Sequence, residues 1–153
     1  MSKKILIIDD ERGVVLLLKT CLAKKGYVIE TASSVSEGAQ KILNGHPDMI
    51  ITDDIMPGVK GSALVDIIKQ SDETKHIPII MISGKGEMLW DEKQEKFKWS
   101  PNNPMAKTRG DIPDGKTAEA LAAAYNVDDF IPKPFKTEMV EQIVEEVFAR
   151  QNK

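Results

Sequence analysis

At 153 residues, with 41% hydrophobic and 29% charged positions and a net charge of -3, the chain suits one well-buried core and has the balance of a globular protein. That charge excludes the basic footprint of a nucleic-acid binder, and no apolar run approaches the roughly 20 residues that span a bilayer. Cys21 is the single cysteine, which excludes an internal disulfide, and the start Met1-Ser2-Lys3-Lys4 leads into a strand instead of a secretory apolar region, so the cytoplasm is expected.

Apolar runs alternate with amphipathic stretches, the pattern of βα units around a parallel sheet covered on both faces. The first unit is a strand from Lys4 to Asp9 and a helix that turns Val14, Leu17, Leu18, Cys21 and Leu22 inward and stops at Gly26. On that face Cys21 reads as a buried structural thiol. A strand from Tyr27 to Ala32 precedes a helix whose Ser34 and Glu37 have capping-box spacing and which stops at Asn44-Gly45. Met49 to Thr52 is the third strand, and the helix after it, roughly Gly61 to Gln70, presents Leu64, Val65, Ile67 and Ile68. Ile79 to Ile82 is the fourth strand.

A compact unit would reach its next helix within a few residues. Here the helical signal returns only near Thr117, with Ala118 to Tyr125, so residues 86–115 form an insertion. Glu87 to Lys98 is rich in helix formers and sets Glu92 and Lys96 at i, i+4, which predicts a short inserted helix. Pro101, Pro104, Gly110, Pro113 and Gly115 make the remainder an irregular loop. Phe130-Ile131 is the fifth strand, Lys133-Pro134 turns the chain, and Thr137 caps a last helix with the stripe Val140, Ile143, Val144, Val147 and Phe148. The expectation is one α/β domain over 1–153, a doubly wound five-stranded parallel sheet in the flavodoxin-like order 2-1-3-4-5.

Four of those strands end in polar residues. Asp9-Asp10 follow the first, Asp53 the third, Ser83 the fourth and Lys133 the fifth. Alone, each reads as a solvated turn, a helix cap or a surface lysine. Together they form one site at the carboxyl edge, where open sheets of this kind bind ligands. Asp9, Asp10 and Asp53 suit magnesium, which takes carboxylates together with water and phosphate oxygens. Asp53 can attack phosphorus to give an acyl phosphate, Lys133 can stabilise the equatorial oxygens, and Ser83 can donate a hydrogen bond to the new phosphoryl group. His46 and His76 lie in apparent loops and read as surface histidines.

These residues resemble the receiver domain of two-component response regulators, the CheY-like family. Ile7-Ile8-Asp9-Asp10-Glu11 is similar to its acidic pair, and Pro47 to Asp53 through Met56-Pro57-Gly58 and Gly61 to its phosphoacceptor block. Ile82-Ser83-Gly84 is similar to its switch hydroxyl, and Asp128 to Phe135 to its aromatic switch and lysine. The resemblance implies that Asp53 is the phosphoacceptor, Asp10 a direct magnesium ligand, Asp9 a ligand largely through water, and the Ile55 carbonyl a further ligand. It implies a switch pair of Ser83 and Phe130 and a cis bond at Lys133-Pro134. It further implies a regulator, not an enzyme, that assists its own phosphotransfer and dephosphorylation. The donor would be a sensor histidine kinase or a phosphotransfer protein. The output would be a protein partner or a phosphorylation-dependent homodimer, with no direct nucleic acid or membrane contact.

Two departures stand out. Asp54 follows the acceptor where an apolar residue is usual, and the insertion begins just after Ser83-Gly84-Lys85. The rivals are a haloacid-dehalogenase-type phosphohydrolase and a pseudo-receiver that acts without phosphorylation. Chain order speaks against the first, because the acidic pair leads and Ile55 stands where that family's second Asp would be. The full set of site residues speaks against the second. The insertion, which carries Trp90, Phe97 and Trp99, is the expected distinguishing element.

Overall fold

The computed structural model describes residues 2–53, 55–56, 59–83, 87–91, 96–100, 126–132 and 135–151, with the backbone alone at 55–56, 59–63, 83, 87–91, 96–100 and 132. In chain order the elements begin with β1 (Lys4–Ile8), α1 (Arg12–Lys24), β2 (Val28–Ala32), α2 (Val35–Gly45) and β3 (Met49–Asp53). Two short strands, β4 (Ile55–Met56) and β5 (Val59–Lys60), pair with each other before α3 (Gly61–Gln70) and β6 (Ile79–Ser83). Then follow β7 (Glu87–Asp91), β8 (Lys96–Ser100), β9 (Asp129–Pro132) and α4 (Thr137–Gln151).

Five strands form one sheet in the order β2-β1-β3-β6-β9, and every pairing in it is parallel. Numbered within the sheet, that is 2-1-3-4-5. The continuous apolar runs explain it: Ile5, Leu6, Ile7 and Ile8 are all fully buried, which a strand achieves only when both faces of its sheet are covered. Alternate residues feed two separate cores. Leu6, Ile8, Ile50 and Met81 pack with Ile42 of α2 and Leu64, Val65 and Ile68 of α3. Ile5, Ile7, Ile51 and Ile80 pack with Leu18 and Leu22 of α1 and Val140, Val144 and Val147 of α4. Among the described residues, no helix is long and apolar enough to cross a membrane.

Helix phase and helix ends differ in detail from the sequence expectation. Leu17 is 45% exposed and Ile67 56% exposed, although both were placed on inward faces. Each is flanked by a residue that takes the central position, Leu18 and Ile68, and one step of 100° carries the neighbour to the edge of the stripe. Ser34 caps α2 by accepting the Glu37 N–H at 3.1 Å, but the Glu37 carboxylate reaches Ser33, not Ser34. Its pKa is lowered, chiefly by the Ser33 N–H and then by Lys41. The helix runs through Gly45, and the left-handed capping residue is His46 at φ 46°. Thr137 is the first residue of α4, so the flanking position falls to Lys136.

The inserted helix expected over Glu87 to Lys98 is a β-hairpin instead. β7 and β8 pair antiparallel, with Met88 opposite Trp99, Trp90 opposite Phe97 and Asp91 opposite Lys96. Cross-strand pairing decides it, and aromatic residues favour strands. The lysine read as the i, i+4 partner of Glu92 sits across the ribbon from Asp91. The rest of the insertion, the helix expected from Thr117, and Lys133-Pro134 with its peptide bond lie outside the described residues.

Candidate functional site

Parallel register builds the site at the carboxyl edge of the sheet. Ile8 of β1 pairs with Thr52 of β3, so Asp9 and Asp53 leave adjacent strands at the same level. Asp9 is 1% exposed and Asp53 5%, while Asp10 is open to solvent. Asp9 is braced locally: its N–H donates to the Ala32 carbonyl at 3.1 Å, and its Oδ1 accepts the Glu11 N–H at 2.9 Å. Thr52, fully buried, donates its hydroxyl to the Asp53 carbonyl at 3.3 Å.

One carboxylate oxygen from each of Asp9, Asp10 and Asp53 lies within 4.8 Å of the others. Charges that close repel by about 3.5 kcal/mol or more per pair at an effective dielectric near 20. A divalent cation reverses the sign of that energy. The donor set is all oxygen, with no imidazole or thiolate, which fits a hard ion such as magnesium and disfavours zinc or copper.

Of the other expected residues, three are described. Asp53 pairs with Ile82, so Ser83 of β6 follows one residue beyond the acceptor's level, opposite Pro132 of β9. Ile55 begins β4, two residues past Asp53. Phe130 is 5% exposed and lies opposite Met81, within the core shared with α2 and α3. Lys133 lies outside the described residues.

Sequence reasoning missed two supports. One is the Glu11 N–H on Asp9, whose only signal is an Asp three residues before a helix start. The other is the join of β9 to α4: Asp129 Oδ1 accepts the Phe130 N–H at 2.8 Å, and Asp129 Oδ2 meets Arg150 Nη2 at 3.2 Å. Burial raises the Asp129 pKa, against the lowering effects of the Phe130 N–H and Arg150. No periodicity could have signalled that pair.

A family model described as the response regulator receiver domain matches residues 5–97, more than half of the chain. The chain belongs to the response regulator receiver family. Receivers are the phosphorylation-dependent modules of two-component signalling, and they are in general regulatory. Over 151 residues the chain is 29% identical to the alkaline phosphatase synthesis transcriptional regulatory protein PhoP of Bacillus subtilis, covering 98% of this chain and 50% of that protein. Sporulation initiation phosphotransferase F of the same organism is 29% identical over 94 residues, covering 61% of this chain and 76% of that protein. This receiver spans about half the length of the first curated relatives it matches, 50% and 48%. A solved response regulator from Chloroflexus aurantiacus superposes with a TM-score of 0.72 at 25% identity, covering 97% of this chain and 99% of that one. The chemotaxis response regulator CheY4 of Vibrio cholerae has the same fold, with a TM-score of 0.69 at 22% identity, covering 96% of this chain and 99% of that one.

Proposed function

We propose that this receiver takes a phosphoryl group onto Asp53 from a histidine kinase or phosphotransfer protein and thereby changes its affinity for an output partner. The observation that carries the reading is the convergence of the Asp9, Asp10 and Asp53 oxygens at one strand edge. Asp9, Asp10, Asp53 and the Ile55 carbonyl would hold magnesium, which supplies the positive charge that lets a carboxylate approach a phosphoryl donor. Asp53 attacks phosphorus in line, the acyl–phosphate bond forms as the donor's bond breaks, and the donor leaves with the electron pair. Lys133 balances charge on the equatorial oxygens, and Ser83 donates a hydrogen bond to the phosphoryl group.

The added charge is about -1.5 to -2. That is enough to draw the Ser83 hydroxyl inward and to hold the Phe130 ring in the buried position described above, which biases the surface formed by β9 and α4. The domain is read as one unit over 1–153, at work in the cytoplasm, with the hairpin-bearing insertion 86–115 as its distinguishing contact element. The output is a protein partner or a second copy of the chain.

Incubation with acetyl phosphate and magnesium should add one phosphoryl group to the intact protein by mass spectrometry. Asp53→Asn should add none. Full labelling of that variant would overturn the assignment, and steady turnover of a small phosphoester would favour a phosphohydrolase.

A further inference from the structure

A second concavity lies at the opposite edge of the sheet from Asp53. It is a half-open cleft of about 380 Å³. Its floor is apolar: Pro47, Ile77 and Pro78 are buried, and the half-buried Phe148 ring closes one side. Its rim is polar and exposed, formed by Lys3, His46, Asp48, Glu73 and His76. Both histidines of the chain are therefore on this rim.

Geometry and charge narrow the ligand. A metal ion needs donor atoms that converge on a point, and among the described residues only Asp9, Asp10 and Asp53 bring three such groups together. The rim groups are instead spread around a volume suited to an organic molecule. Its carboxylates are Asp48 and Glu73, and α2 ends there at Gly45 beside His46, adding partial negative charge. Asp48 Oδ2 accepts the Lys4 N–H at 2.8 Å, which leaves the carboxylate capacity for another donor. The Phe148 ring is flanked by the Tyr27 ring at 5.5 Å and by the Lys3 ammonium at 5.8 Å, so a ligand that lies on this ring takes the place of Lys3.

We propose that this cavity binds a small organic cation, an ammonium or guanidinium group carried on an apolar or aromatic body. The charged group meets Glu73 and Asp48, and the body lies on Pro47, Pro78 and the Phe148 face. Phenethylamine and phenylacetate, which pair the same ring with opposite charges, discriminate the proposal. Titrated into the full chain at pH 8, phenethylamine should shift the ring signals of both His46 and His76 saturably in NMR spectra, and phenylacetate should bind at least several-fold more weakly. Glu73→Gln, an exposed change that leaves the core untouched, should weaken the amine about two- to fivefold, as expected for an exposed ion pair. Glu73→Lys should abolish saturation. The proposal is overturned if phenylacetate binds as well as the amine, if neither histidine responds, or if the amine binds both Glu73 variants like the parent chain.

Discussion

Asp9 and Asp10 are neighbours in sequence but not in circumstance. Asp9 is 1% exposed and tied to the backbone of Glu11, while Asp10 is open to solvent. Removing the Asp10 charge should therefore affect metal binding with little effect on the apo fold. Magnesium at about ten times its Kd stabilises a native state by about 1.4 kcal/mol. A thermal melt of the parent chain should rise accordingly, and Asp10→Asn should lose most of that rise while melting near the parent temperature without metal. At Asp129 the predicted effect is one of pH. Burial, its largest perturbation, makes the carboxyl easier to protonate in the native state than in the unfolded chain, so this group's contribution is fully present below the unfolded pKa and is lost as pH rises through the raised native value. Urea denaturation should then find Asp129→Asn more stable than the parent at about pH 7, with the gap closing toward about pH 3. If the parent is the more stable at neutral pH, the ion pair with Arg150 outweighs the cost of burial.

At the scale of elements, close packing of α2 on β1 sets the position of the acidic pair. A Cβ built on Gly38 would lie 2.6 Å from Ile8 Cδ1, and Ile8 immediately precedes Asp9. Gly38→Ala gains roughly 0.5 to 1 kcal/mol of helix propensity but overpacks a full core, which typically costs about 1 to 3 kcal/mol. The net expectation is a loss of about 1 kcal/mol in chemical denaturation, with weaker magnesium binding as Asp9 is displaced. The hairpin calls for a different test. Replacing residues 86–115 with a short Gly-Ser loop should leave phosphorylation of Asp53 intact and abolish capture of the output partner in a pull-down. Unchanged capture would make the segment a tolerated insertion. The strands and their acidic ends were legible because a run such as Ile5 to Ile8 has one stable solution, burial on both faces. The hairpin was not, because Glu, Lys and Met favour helices locally and only the cross-strand partners of Trp90 and Trp99 reveal the ribbon. Leu17 and Ile67 were misplaced for a smaller reason: a single step around a helix separates the core from the surface, and composition alone does not set the phase.

For the whole molecule, the long stretch of sequence between β6 and β9 has a consequence for chain continuity. Everything before it supplies four of the five strands together with α1, α2 and α3, and everything after it supplies β9 and α4. The later part still contributes Phe130 to one core and Ile131, Val140, Val144 and Val147 to the other. A chain opened at Gly110 would therefore yield two fragments, each with an apolar surface that only the other can cover. The first would hold Asp9, Asp10, Asp53 and Ser83, the second Phe130 and Lys133. The two should associate when mixed and regain phosphorylation by acetyl phosphate that neither has alone. This regulator would then serve as a split reporter, whose phosphorylation records that its two halves have met.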